Sequence, residues 1–439
     1  MADHLFRLRP DIQALQPSLV EWRRRFHQRP ELGFQEKLTA LFVSQKLQEW
    51  GIEHLPGIAQ TGIVATITGN KQTEQSNPKS MALLELGGLF PAEPKGSADA
   101  PGVATASLSL TRPKIPNPKS KVLAIRADMD ALPIHEENQV PYCSLHSGIM
   151  HACAHDGHTA ILLGVAYYLS QHRDFAGTVK LIFQPAEEGL GGAKAMIEAG
   201  VLNDVEAILG LHLWNNLPVG RVGVRSGSLM AASESFDCKI LGKGGHAGFP
   251  HQTVDAVVVA AHAITILQAL VARHVDPLES VVISVGQLHS GTKRNVIAAT
   301  AEFNGTVRYF NPNLSDFLPQ RLEQAIASVC QIHGASYEFD YHRVSPPLIN
   351  DALLAEMVRN VASSIVEIPQ DVVPNCQTLA GEDMALYLQQ VPGCFFFLGS
   401  ANPEKGLSYP HHHPRFDFDE TVLTMGVEIF VRCIETFCV

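Results

Sequence analysis

The sequence predicts an α/β fold: a mainly parallel, buried sheet in one large unit, with a smaller ferredoxin-like βαββαβ unit inserted into it. Three observations lead there. A chain of 439 residues is too long for one compact core, so two domains are expected. Near-continuous apolar runs alternate with amphipathic helical stretches, which is the pattern of strands covered on both faces. The segment 227–343 breaks that rhythm with an order of elements that closes on itself. The expected division is residues 1–226 and 344–439 for the large domain and 227–343 for the inserted one.

Taken in order, residues 18–50 read as helices, with Gly51 as the stop after Leu47-Gln48-Glu49-Trp50. A strand follows at 62–67. Residues 71–120 are rich in Lys, Ser, Pro, Gly and Ala and read as a flexible insertion, with one apolar patch from Met81 to Phe90 and no assigned chemistry. The apolar run 122–126 then leads to Asp128 and Asp130, 179–183 to Pro185 and Glu187-Glu188, and 207–211 to His212. Near the C-terminus the run 394–398 leads to the loop His411-His412-His413. In the inserted unit the spacing predicts strands at 233–241, 281–288, 299–308 and 336–343, with helices at 255–272 and 314–333.

Composition narrows the function. Hydrophobic residues at 46% suffice for substantial cores and exclude wholesale disorder. A net charge of −11 repels nucleic acid and anionic membrane, and the longest basic run, Arg23-Arg24-Arg25, reads as a solvated helix face. Eight cysteines without a CxxC pair suit a reduced, cytoplasmic protein better than a disulfide scaffold. The N-terminus shows no signal peptide. The apolar stretch 256–272, broken by His262 and Gln268, is short for a membrane span and reads as a buried helix.

In open α/β sheets, ligands bind beyond the carboxyl ends of the strands. Asp128, Asp130, Glu187, Glu188, His212 and the His411–His413 loop all fall at such ends. The densest cluster, His151-Ala152-Cys153-Ala154-His155-Asp156-Gly157-His158, precedes a helix expected at 159–170. A thiolate with imidazoles and a carboxylate suits zinc and its first-row neighbours rather than magnesium or calcium. The pair Glu187-Glu188 divides labour: one carboxylate ligates, the other stays free to move protons. A Cys153–His nucleophilic dyad is the rival mechanism, disfavoured because so many carboxylates and histidines serve a cation better.

Seven ordered motifs carry a resemblance: RPELGFQE (29–36), ADMDALPIHEEN (127–138), MHACAHDGHTA (150–160), FQPAEEG (183–189), GLHLW (210–214), GKGGHAGFPH (242–251) and HHPRFDFDE (412–420). The chain is similar to the amidohydrolase branch of the zinc metallopeptidases. That branch includes hippurate hydrolase, N-acyl-amino-acid amidohydrolases and plant hydrolases of auxin–amino-acid conjugates. The resemblance covers nearly everything except about 71–120.

It implies a two-metal catalytic domain holding zinc, manganese, cobalt or nickel. It also implies a satellite domain that pairs subunits into a homodimer or larger homo-oligomer, and a small N-acyl amino acid as substrate. By motif position it implies Cys153, His155, Glu188, His212 and His412 as ligands, with His411 or His413 as the alternative register, and Glu187 as general base. Asp130 becomes a residue that orients a ligand, because Asp128 stands where other branches place a histidine two residues earlier. His246, Asn295 and Arg308 resemble satellite positions that assist the substrate carbonyl and hold its carboxylate, His246 across a dimer. Two departures stand out: Ala154 replaces the usual glycine between Cys and His, and the insertion at 71–120 is unusual. Dipeptide cleavage with the same mechanism, and a non-catalytic metal-binding role, are the competing expectations.

Overall fold

Strands covered on both faces hold mainly apolar side chains and leave polar ones chiefly to their ends, and apart from Arg126 the central strands of the large sheet follow that rule near the cluster. The computed structural model describes residues 6–71 and 121–439, so the insertion expected at 71–120 lies, beyond Lys71, outside the described residues. Eight strands pair in the order Glu53–Ile58, Gly62–Thr68, Thr178–Gln184, Val122–Asp128, Ala207–Pro218, Gly393–Ala401, Val222–Gly223 and Val372–Val373. The four central strands, from Thr178–Gln184 to Gly393–Ala401, are parallel. The hairpin formed by Glu53–Ile58 and Gly62–Thr68 joins one side antiparallel.

Register decides where the chemistry lands. Asp128 lies beside Gln184, Arg126 beside Gly210, and His212 beside Phe397. The strand ends are therefore nearly level, and the acidic and imidazole residues that follow them share one rim.

One face of this sheet is covered by the helices Gln16–Gln28, His155–Gln171 and Val422–Phe437, through Leu19, Ile161, Leu162, Val427 and Phe430. Gly164 lets them approach closely: a Cβ there would sit 2.7 Å from both Leu19 and Val427. Arg23 departs from the solvated face expected for the basic run. It is 0% exposed, because it shares the helix face of Leu19 and Phe26. Phe395, Phe397, Met384 and Trp214 fill the other face.

The inserted unit is a four-stranded antiparallel sheet in the order Val281–Ser290, Thr300–Tyr309, Ser233–Leu241, Ser336–Ser345, with its own core around Phe236, Phe303, Leu267 and Leu322. Its helices Ala256–His274 and Leu314–His333 complete the βαββαβ order. The helix Ala256–His274 is long and apolar enough to cross a membrane by length and composition. It packs one face, Val259, Ala263, Leu267 and Leu270, into this core and leaves Val257, Val258 and Ile266 exposed. Burial expected along the whole helix is confined to that face.

Candidate metal centre

Three non-glycine residues beside the strand-end cluster are left-handed: Ala154 (φ 67°), Ala186 (φ 56°) and His412 (φ 63°). An L-residue adopts that conformation at roughly 1–2 kcal/mol, so neighbours must enforce it. Ala154 takes up a conformation that glycine would adopt without strain, and the helix His155–Gln171 starts directly after it, earlier than the expected 159. The Ala186 N–H is held at 2.9 Å by the buried carboxylate of Glu36, which also accepts the Thr61 hydroxyl at 2.6 Å. His412 donates its N–H to the Ala152 carbonyl at 2.8 Å.

Asp130 stands behind two loops at once. Its Oδ1 accepts the N–H of Glu187 and its Oδ2 that of Glu188, each at 3.0 Å. Its carbonyl accepts the Nδ1–H of His155 at 2.9 Å, which fixes that ring and leaves Nε2 buried with no hydrogen-bond partner, 3.8 Å from Asp128. His212 is set alike: Nδ1–H donates to the Leu213 carbonyl at 2.7 Å, and Nε2 lies 3.5 Å from Cys153 Sγ. His158 is fully engaged instead, with Nδ1 on Asp128 at 2.6 Å and Nε2 accepting the Leu213 N–H at 2.9 Å.

Donor atoms of Cys153, His155 and His212 lie within 4.8 Å of one another, as do those of Cys153, Glu188 and His412. The two sets meet at Cys153. Among the three consecutive histidines, His412 Nε2 comes 3.2 Å from Glu188 Oε1. His411 instead stacks on Trp214 and accepts the Asn215 N–H at 3.2 Å, while His413 stacks on Tyr409. A thiol, imidazoles and a carboxylate at this spacing fit first-row divalent ions. His155 Nε2, buried without a hydrogen-bond partner, is a nitrogen that such an ion would satisfy.

Electrostatics agrees. Asp128, Asp130, Glu187, Glu188, Glu382 and Asp383 crowd one site, and Arg126 is the guanidinium among them. It binds Asp128 at 2.6 Å, Asp383 at 2.8 Å, Glu382 at 3.0 Å and Gln184 at 2.8 Å. Burial, then Glu382, Glu188 and Asp383, hold the Glu187 carboxyl well above the usual range. Burial works to lower His155, but Asp128, Asp130 and Glu188 outweigh it and push it up to about 10. Burial, helped by His158 and His411, holds His212 well down and therefore neutral. Burial, then Glu188 and Glu187, push the Cys153 thiol well up, the wrong direction for an unassisted thiolate nucleophile. A bound cation reverses that local logic.

The cluster floors a cleft of about 530 Å³ between the large sheet and the inserted unit. Trp214 and His411 line it on one side, and Ser233, Arg308 and Val344 belong to the inserted unit or its junction. Arg308 donates to the carbonyls of Glu234 and Val307 and makes no ion pair among the described residues. His246 and Asn295 are not brought there. His246 is exposed on the short ribbon Gly245–His246 and Val296–Ile297, and Asn295 holds the Ala247 N–H beside it.

Sequence reasoning missed Arg126, Glu382 and Asp383, although the Asp383 N–H holds Glu187 Oε1 at 3.2 Å. The signals were a lone arginine inside an apolar strand and an acidic pair after Gly381.

The profile of Peptidase family M20/M25/M40 matches residues 124–436. The chain is 40% identical over 341 residues to an N-acyl-L-amino acid amidohydrolase of Geobacillus stearothermophilus, covering 77% of this chain and 80% of that protein. It is 36% identical over 429 residues to thermostable carboxypeptidase 2 of Saccharolobus solfataricus, covering 97% and 96%. The crystal structure of the Bacillus subtilis YXEP protein, a dinuclear metal-binding peptidase of the M20 family, superposes with a TM-score of 0.75 at 32% identity, covering 97% and 99%. This chain belongs to peptidase family M20/M25/M40 and is a hydrolase acting on amide bonds.

Proposed function

We propose that the chain hydrolyses the amide bond of N-acyl-L-amino acids, releasing a carboxylic acid and a free amino acid. In this reading Cys153, His155, Glu188, His212 and His412 hold two divalent ions of the zinc, manganese, cobalt or nickel type. The observation that carries it is the meeting of two donor sets at Cys153, on the floor of a cleft that Arg308 also lines.

Ions held there supply Lewis-acid polarisation of the amide carbonyl and make water a stronger acid. The chain's own groups do the rest. Glu187 takes a proton from the attacking water and delivers it to the leaving nitrogen, its raised proton affinity suiting a group that must both accept and return. Asp130 keeps Glu187 and Glu188 in register through their N–H groups. Arg308 receives the substrate carboxylate with the guanidinium nitrogen atoms its carbonyl partners leave free. His246 assists the carbonyl and Asn295 the carboxylate from a second copy of the chain, paired through residues 227–343 as a satellite domain on the catalytic unit of 1–226 and 344–439.

The likeness to a carboxypeptidase supports a second reading, release of a C-terminal amino acid from a peptide, since both substrates present an amide and a carboxylate. Side-by-side kcat/KM on N-acyl amino acids and dipeptides separates the two. Glu187→Gln tests the common mechanism. Metal content is expected to stay stoichiometric while kcat falls by about 10²–10⁴; unchanged turnover refutes the assigned base, and a wild-type chain inert towards every acyl amino acid and dipeptide leaves only a metal-binding role.

A further inference from the structure

We propose that Arg23 is a positioning residue for the metal centre. One buried guanidinium sets the spacing between the loop that carries Cys153 and His155 and the loop that carries His412. The proposal rests on the reading of those three side chains as metal ligands.

Arg23 is fully buried and reaches carboxylates from both loops. Its Nε donates to Asp156, the residue after His155, at 2.8 Å. Its Nη2 donates to Asp417 at 2.7 Å and its Nη1 to Glu420 at 3.2 Å, both on the segment that follows His412. Each carboxylate is tied locally in turn. Asp156 accepts the Gly157 N–H at 2.9 Å, and Asp417 accepts the Phe418 N–H at 2.9 Å and the Tyr142 hydroxyl at 2.8 Å. The guanidinium lies 4.4 Å from the Phe418 ring centre and 5.1 Å from that of Tyr142, so its plane is held as well as its charge.

The same two loops meet directly at the hydrogen bond from His412 N–H to the Ala152 carbonyl. His27, 2.8 Å from Asp156, is a second partner for that carboxylate alone and reaches no group of the His412 segment, so without Arg23 no cation joins the buried Asp156 to the buried Asp417. Losing the guanidinium removes the one side-chain group that joins these two carboxylates and leaves the Asp417 carboxylate buried without its cation, which loosens the spacing of the ligand loops. Lysine cannot replace it, because a point ammonium lacks the planar fork that addresses three carboxylates in fixed directions.

The test uses the full chain, stripped of metal and titrated with Zn²⁺ against a chromophoric chelator. Arg23→Lys is expected to weaken Zn²⁺ binding by about 10–100-fold. Leu19→Ala, on the same helix and packed beside Gly164 and Val427, serves as the stability control. It is expected to lower Tm with Zn²⁺ affinity within about twofold of wild type, because it packs at Gly164, in the middle of a helix and away from the ligand residues. Zn²⁺ affinity unchanged in Arg23→Lys, or weakened equally by Leu19→Ala, overturns the proposal. If Arg23→Lys does not fold, Asp417→Asn answers the same question: affinity reduced at least several-fold supports the tie, and wild-type affinity overturns it. A wild-type chain that binds no Zn²⁺ overturns the ligand reading itself, an outcome distinct from wild-type binding with unaffected variants.

Discussion

Asp130→Asn isolates how the carboxylate pair is held. Asp130 is 1% exposed, and its two oxygens accept the N–H groups of Glu187 and Glu188 at 3.0 Å each. Asparagine keeps one acceptor and turns an NH₂ group towards the other N–H. The main-chain bond to His155 at 2.9 Å survives, while the longer side-chain approach of Oδ1 to His155 Nδ1 at 3.3 Å changes along with the loop bearing the glutamates. Losing one hydrogen bond to a charged group costs about 1.5–3 kcal/mol, and the stranded donor adds to that. A total near 3 kcal/mol is about a hundredfold at 1.36 kcal/mol per decade. We expect Zn²⁺ affinity to fall by about 10–100-fold. At saturating metal, kcat should still fall, because the Glu187 main chain has lost its anchor, while the circular dichroism spectrum is retained. Metal affinity and kcat both within about twofold of wild type would refute the assignment of Asp130 as the residue that holds this loop.

Two further expectations follow from the same geometry. Arg308→Met should raise KM by about 10–100-fold with little change in kcat or metal content, since a charge-assisted contact of about 1.5–3 kcal/mol is lost in ground and transition states alike; an unchanged KM would remove Arg308 from substrate binding. His27 is fully buried among Arg23, Asp156, Glu136, His151 and Tyr142; burial and Arg23 work to lower it, but Asp156 and Glu136 raise it to about 9. Because its folded pKa lies above the unfolded value near 6.5, its contribution, about 3 kcal/mol, is fully present below pH 6.5 and is lost as pH rises through about 9. Urea midpoints between pH 6 and 10 should therefore fall more steeply for wild type than for His27→Asn, and parallel curves would sink the point.

Much of this architecture was legible because buried parallel strands carry polar residues chiefly at their ends. That constraint made Asp130, Glu187, Glu188 and His212 stand out in a sequence of apolar runs. The expected helix at 314–333 is the observed Leu314–His333, since a sustained 3.6-residue period ends on Gly334, which is left-handed. What stayed hidden has physical reasons too. Arg23 looked like surface because composition makes charge and exposure synonymous, yet its spacing from Leu19 and Phe26 already put it on the buried face. Glu382 and Asp383 acquire meaning only through Arg126 on a strand far away in sequence. The left-handed torsions of Ala154 and Ala186, the latter held by the distant Glu36 carboxylate, are announced by no local preference of alanine.

Those left-handed alanines, with His412, bear on when order is created. Each kink lies at or beside a residue of the donor cluster, and those at Ala186 and His412 are pinned by the Glu36 carboxylate and the Ala152 carbonyl, groups of the folded chain and not of any ion. The conformational cost of aiming the donors therefore falls on the folding reaction, and an arriving ion meets side chains already pointed inward. Glycine at Ala154 or Ala186 would relax the torsion locally, but it would return to the unfolded chain freedom that the present residues have already given up.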